Sequence, residues 1–118
     1  MARGSVTVTS IPLETATDRP AGLTVVQANG ATIPAAGDTR NLLIEFNQTD
    51  ATARVATIKK GLGSQAVRAG LGDLAVTCAQ NAPEYVVIES ARFAQADGAI
   101  HIDFAVSWAG TVRAYRLP

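Results

Sequence analysis

Residues 41–61, NLLIEFNQTDATARVATIKKG, carry the clearest strand pattern in this chain. Leu42, Ile44 and Phe46 lie at every second position, which is the period of a strand with one buried face. The polar residues 48–52 predict a turn, and residues 53–60 predict a second strand that returns antiparallel to the first. Because this loop is longer than two residues, the sequence leaves the register of the hairpin open.

Shorter stretches of the same kind fill the rest of the chain. They predict strands at residues 5–9, 22–28, 31–33, 73–79, 84–89, 92–96, 99–106 and 111–116. Asn29-Gly30 and Asp97-Gly98 each predict a tight hairpin turn, because both residue types tolerate a positive φ. Eight to ten short strands at this spacing predict an all-β fold, an antiparallel β-sandwich with jelly-roll-like topology.

The length of 118 residues fits one domain. Within it, residues 1–20 predict an N-terminal strand followed by an arm that contains Pro12 and Pro20, and residues 21–118 predict the sandwich itself. An arm of this kind could lie on a neighbouring subunit. The glycines between residues 61 and 72 predict a shaped loop, because the spacing of a phosphate-binding loop is absent.

Several strands have a row of side chains that we expect to point inward. These rows are Leu74, Val76 and Cys78, then Val86 and Ile88, then Ile100, Ile102, Phe104 and Val106. Cys78 is the only cysteine, so the chain forms no internal disulfide. We expect its thiol to be buried and unreactive.

The charge balance disfavours two classes of partner. Ten basic and ten acidic residues give a net charge of zero, so there is no electrostatic signature for nucleic acid or for an anionic membrane. Lys59 and Lys60 are predicted to be solvated. No apolar run is long enough to cross a bilayer, and the N-terminus has no apolar signal region, so we expect synthesis in a cytoplasm without secretion.

The sequence suggests no catalytic residue. His101 and Asp103 share the face opposite the inward row, but no serine or cysteine is tied to them by a motif. Glu84 and Glu89 fall on opposite faces of a strand, which counts against a pair of glycosidase carboxylates.

The remaining acidic residues are dispersed, so we predict no metal site, no cofactor and no enzymatic activity. They are Asp38, Asp50, Asp73, Asp97 and Asp103. Trp108 and Tyr115 are the aromatic residues expected to be exposed near the C-terminus, where they could anchor an interface, with core packing as the alternative.

Four segments resemble the small β-rich virion proteins of tailed bacteriophages, in particular the capsid decoration or cement proteins of phages that infect actinobacteria. The segments are residues 36–61, which begin with AGDTRNLLI and end with TIKKG, residues 68–74 (RAGLGDL), residues 89–98 (ESARFAQADG) and residues 114–118 (AYRLP). The resemblance covers most of the chain after Gly22, and residues 1–20 are its least matched part.

The resemblance implies a structural protein on the capsid surface of a virion. Such a protein would bind the major capsid protein from outside and stabilise the assembled shell, commonly as a homotrimer at three-fold positions. Two alternatives stay open: a neck or tail component of the same virion, and a carbohydrate-binding sandwich. The last would need exposed aromatic side chains, with Trp108 the residue to test.

Overall fold

The computed structural model describes residues 3–34, 42–59, 72–88, 93, 95 and 99–117. Within these ranges the chain forms ten strands: β1 Gly4–Ser5, β2 Val8–Ser10, β3 Leu23–Thr24, β4 Ala31–Ile33, β5 Leu42–Gln48, β6 Arg54–Ile58, β7 Leu74–Cys78, β8 Glu84–Ile88, β9 Ile100–Phe104 and β10 Gly110–Arg116. They build two sheets that pack around one apolar core. The predicted all-β sandwich is confirmed, and the jelly-roll topology stays a prediction.

The strand order shows how the sheets are joined. The first sheet has the order β1-β4-β9-β6-β7, and the second has the order β2-β10-β5-β8, with β3 also paired to β10. The predicted strand at residues 5–9 is divided between them, because the chain crosses from one sheet to the other at the buried Val6. This N-terminal segment therefore closes one side of the sandwich.

The pairing of these N-terminal strands differs from the antiparallel prediction. β1 runs parallel to β4, and β2 runs parallel to β10, whereas every other pairing among the described strands is antiparallel. Parallel neighbours need a long connection. That condition is met here, because each pair is far apart in sequence.

The hairpin predicted across residues 42–60 is wrong. β5 pairs with β10 and β8 in the second sheet, whereas β6 pairs with β7 and β9 in the first. The inward row of Leu42, Ile44 and Phe46 is confirmed, since each is at most 1% exposed. The pattern identified the buried face correctly, but the two strands face each other across the core.

Gln48 lies at the corner where the chain passes from β5 in the second sheet to β6 in the first. Its side chain is fully buried at the end of β5. Its Nε2 donates to the carbonyl oxygens of Cys78, at 2.9 Å, and Thr52, at 3.1 Å, and its Oε1 accepts from the backbone N–H of Asp50. These bonds give side-chain partners to three backbone groups at the corner. They also fasten the end of β5 to the end of β7 in the opposite sheet.

The hairpin predicted at Asn29-Gly30 is also wrong, although a turn is present. The N–H groups of both residues donate to the carbonyl of Val26, at 3.0 and 3.3 Å, and Gly30 has a φ of +70°. A Cβ on Gly30 would lie 2.8 Å from the carbonyl oxygen of Ile102. The turn leads from β3 in the second sheet to β4 in the first, and the predicted strand at 22–28 shortens to β3.

Aromatic side chains join the two sheets at the centre of the core. Phe46 and Phe104 have ring centroids 6.5 Å apart, and Trp108 lies 4.6 Å from Phe104 and 6.5 Å from Phe46. Of the two possibilities left open for Trp108, exposure near the C-terminus and core packing, the structure shows core packing, since the side chain is 2% exposed. The chain turns after β9, where the backbone N–H of Trp108 donates to the carbonyl of Ala105 at 3.0 Å. This turn directs the indole inward.

The same turn ends the inward row of β9. Ile100, Ile102 and Phe104 are buried as predicted, but Val106 lies beyond the strand and is 74% exposed. The prediction for Val106 is therefore wrong, because the alternation stops where the strand stops.

The inward rows of β7 and β8 are confirmed. Cys78 is fully buried, and this burial raises the pKa of its thiol. Several predictions fall outside the described residues: the Asp97-Gly98 turn, the strand at 92–96 apart from residues 93 and 95, the glycine loop before residue 72, Lys60 and Glu89.

The corner gives a first testable prediction. Gln48→Leu should lower the free energy of unfolding by about 2–4 kcal/mol, because it removes the bonds to three backbone groups, one of them to the buried carbonyl of Cys78. The control is Gln80→Leu, since Gln80 is exposed and makes one bond, to the Thr49 carbonyl at 3.3 Å. Urea denaturation measures both variants, and equal losses in the two would contradict the role given to Gln48.

Candidate functional site

A long irregular segment crosses the outer face of the second sheet. Residues 11–22, which we call the strap, connect β2 to β3. At its first end, Ile11 donates its N–H to the carbonyl of Arg116 at 2.9 Å. Residues 12–19 are all exposed. The strap therefore depends on its two ends for a fixed position.

The sheet presents charged residues beneath the second end of the strap. Glu45 on β5 lies directly opposite Arg113 on β10, and alternation places both on the face away from the core. The strand pattern predicts burial of the opposite face alone. Instead Glu45 is 1% exposed and Arg113 8% exposed, because the strap covers them.

The carboxylate of Glu45 is surrounded by donors. Tyr115 donates its hydroxyl to Oε1 at 2.9 Å. Arg19, from the strap, donates to Oε2 from Nε at 3.0 Å and also from Nη2, and Nη1 of Arg113 lies 3.5 Å from the same oxygen. A buried carboxylate is tolerated only with this kind of compensation.

Arg113 connects the carboxylate to the backbone of the strap. Its Nε donates to the carbonyl of Pro20 at 2.6 Å, and its Nη2 donates to the carbonyl of Ala21 at 3.0 Å. Gly22 follows with a φ of +81°, and a Cβ there would lie 2.8 Å from Cγ of Arg113. The glycine therefore allows the strap to lie directly on the arginine.

The network shifts the pKa of two of its members. The hydrogen bond to Glu45 raises the pKa of Arg19. Burial, and then the hydrogen bond to Glu45, raise the pKa of Tyr115. Tyr115, for which exposure and packing were both left open, is buried on this outer face of the sheet, since the side chain is 7% exposed. Its ring is covered and its hydroxyl is held by the carboxylate.

The part of the strap away from the Glu45 network carries an exposed apolar side chain. Leu13 is 75% exposed. The next residue, Glu14, has a φ of +57°, and the Thr15 hydroxyl donates to the carbonyl of Leu13 at 3.2 Å. A short turn thus presents Leu13 to solvent.

The residues considered for catalysis lie in the other sheet. His101 and Asp103 are half-buried on β9, on the face opposite Ile102. Asp103 pairs with Arg3 at 2.6 Å and, more distantly, with Lys59 at 3.9 Å. Lys59 also pairs with Asp73 at 2.9 Å, which raises the pKa of the lysine. Ion pairing therefore accounts for the position of Asp103.

Over the residues that the structure describes, no three histidine, cysteine, aspartate or glutamate side chains gather into a metal-binding group. The same ranges contain no helix long and apolar enough to span a membrane. Comparisons with known protein families, with curated proteins and with solved structures find no match to this chain.

The sequence contained a signal for the network that pattern reasoning missed. Glu45 and Arg113 each stand in the middle of an otherwise mostly uncharged strand, in LLIEFNQ and GTVRAYR. Opposite charges at such positions indicate a cross-strand pair. The contribution of Arg19 had no comparable signal, because it comes from an irregular segment.

Removing the charge of Glu45 should loosen the strap. Glu45→Gln leaves the buried guanidinium of Arg113 without its counterion, so the free energy of unfolding should fall by about 3 kcal/mol. Hydrogen exchange over residues 19–22 should also become faster. Both quantities follow from urea denaturation and from exchange measured by mass spectrometry.

The matched control is Glu14→Gln, which neutralises an exposed carboxylate within the strap itself. It should leave both quantities near the wild-type values. Unchanged exchange over residues 19–22 in Glu45→Gln would show that the carboxylate does not hold the strap.

The raised pKa of Tyr115 predicts a loss of stability in alkaline solution. Above a pH of about 10 the unfolded chain releases the phenolic proton while the folded chain keeps it. Stability should therefore fall as pH rises toward the folded pKa. This part of the fall should be absent in Tyr115→Phe and present in Tyr85→Phe. Parallel stability curves for the wild type and Tyr115→Phe would contradict this assignment.

Proposed function

We propose that this protein is a structural component of a tailed-bacteriophage virion, a decoration protein that binds the outer surface of the assembled capsid and stabilises it. The resemblance of four segments to such proteins supports the class. The exposed strap supports binding to the shell through this segment. Its partner would be the major capsid protein, its location the capsid surface of the virion, and its assembly the homotrimer that the resemblance implies.

The observation that carries the proposal is the anchoring of an exposed segment. The network around Glu45 fixes one end of the strap, and the bond from Ile11 to Arg116 fixes the other. A segment held at both ends loses less conformational entropy on binding than a free chain of the same length. The strap is therefore prepared to contact another protein surface.

Leu13 is the residue of the strap best suited to anchor that contact. An exposed leucine at the top of a fixed turn can enter an apolar depression on the shell, and contacts of this kind dominate interface energies. The polar residues beside it, which include Glu14 and Asp18, would form the rim.

The carbohydrate-binding alternative loses its basis in this structure. Five of the six aromatic side chains are buried, and Tyr85 is the one that is exposed, at 58%. Trp108, the residue on which that alternative relied, lies in the core. A platform of several aromatic rings therefore has no members besides Tyr85.

The experiment that tests the proposal counts copies in the particle. Quantitative mass spectrometry of purified particles of the phage that encodes the chain compares it with the major capsid protein. A ratio near one, or a simple fraction of it, is the expected result. A few copies for each particle would replace the proposal with a neck or tail role, and absence from the particle would overturn it.

The contact through the strap is tested separately. Leu13→Asp should lower binding to shells that lack this protein by about a hundredfold, because it places a charge in an apolar depression. Val106→Asp makes the same change at a valine that is 74% exposed outside the strap, so binding should be unchanged. Equal binding by both variants in a co-sedimentation assay would exclude Leu13 as the anchor.

A further inference from the structure

The strap leaves part of the outer face of the second sheet uncovered. On this face β8 carries Tyr85 and Val87, each 58% exposed. Tyr85 lies directly opposite Glu45 in the neighbouring strand, and Val87 lies directly opposite the half-buried Leu43. Residues opposite one another point to the same side of a sheet. Leu43, Tyr85 and Val87, which we call the β8 strip, therefore lie beside the carboxylate that holds the strap.

Arg19 connects the strap to the β8 strip. Its guanidinium binds Glu45, but half of its side chain is exposed. The hydrogen bond to Glu45 is the main cause of its raised pKa, and the charge interaction with Tyr85 adds to it, so the phenol of Tyr85 lies close to the guanidinium. Arginine and tyrosine are among the residue types that most often dominate the energy of an interface. The strap and the β8 strip thus form one continuous surface.

The strap alone is small for a specific interface. Its exposed part has eight residues, 12–19, whereas a stable interface uses about 20–30 residues on each side, so neighbouring surface must supply the rest. Val26 and Val106 are also exposed, but they lie in the connections next to Gly110 at the start of β10, whereas the strap begins beside Arg116 at its end. Among the described residues, the β8 strip is the exposed apolar surface that borders the strap.

We propose that the β8 strip binds the same shell protein as the strap, so that the outer face of the second sheet is the shell-facing side of the molecule. This inference rests on the proposed virion role and extends it from one anchor, Leu13, to a second anchor, Tyr85. The partner surface that fits is a shallow apolar one, because Tyr85 and Val87 project from one face of a strand as a flat row. Side chains on a rigid strand need little ordering when they bind.

Co-sedimentation of variants with shells that lack this protein tests the proposal. Val87→Asp should raise the dissociation constant at least about tenfold, because it places a charge in an apolar contact, and Tyr85→Ala should raise it by a similar factor. Val26→Asp is the matched control, since Val26 is 57% exposed outside the shared face, and it should bind like the wild type. Wild-type affinity in both β8 variants would overturn the inference and leave the proposed function standing. Shells that do not bind the wild type would overturn both.

Hydroxyl-radical footprinting of the wild type tests the same contact without a substitution that could disturb folding. Oxidation of Tyr85 and of Leu13 should be lower in the shell-bound protein than in the free protein. Oxidation of Val106, which is 74% exposed, should be the same in both states. Protection of Leu13 with unchanged oxidation of Tyr85 would confine the contact to the strap and contradict the inference.

Discussion

The carboxylate of Glu45 has almost no contact with water, and a charge in that position is stable only where donors surround it. The donors come from two parts of the chain: Tyr115 and Arg113 on β10, and Arg19 on the strap. Because Arg113 also binds two carbonyls of the strap, the course of the strap over the sheet follows from the position of one acidic side chain. The end of the strap at residues 19–21 is therefore connected to the sandwich by hydrogen bonds to Glu45 and Arg113.

A second constraint acts inside the sandwich, where consecutive strands often belong to different sheets. β5 and β6, β7 and β8, and β9 and β10 each lie across the core from one another. Such a fold places its corners under strict hydrogen-bonding requirements, which the fully buried side chain of Gln48 meets for the first of these crossings. Pairings between distant parts of the chain also make folding slow relative to a fold built from hairpins.

The sequence allowed a good prediction of which residues are buried and a poor prediction of which strands pair. Period-two alternation assigned Leu42, Ile44 and Phe46 to the core, but alternation reports the face of a strand and not its neighbour. Asn29-Gly30 likewise predicted a turn without showing that the turn joins two sheets. The pairings depend on side chains such as Gln48, whose contact with Cys78 spans 30 residues.

The outer face was the least predictable part. Glu45 and Arg113 were recognisable as unusual charges in their strands, but their burial results from a strap whose path has no periodic pattern. For Tyr115 the sequence left exposure and burial both open, because a sequence does not show what covers a strand. The β8 strip could be recognised only after the strand order was known.

The measurement that tests this account most directly is a double-mutant cycle between Glu45 and Arg113, with Glu45→Gln and Arg113→Met studied singly and together by equilibrium unfolding. If the buried pair organises the outer face, the two losses should be strongly non-additive, with a coupling free energy of about 1–3 kcal/mol. Additive losses, with a coupling near zero, would show that the two residues act independently and that the strap is held by other contacts.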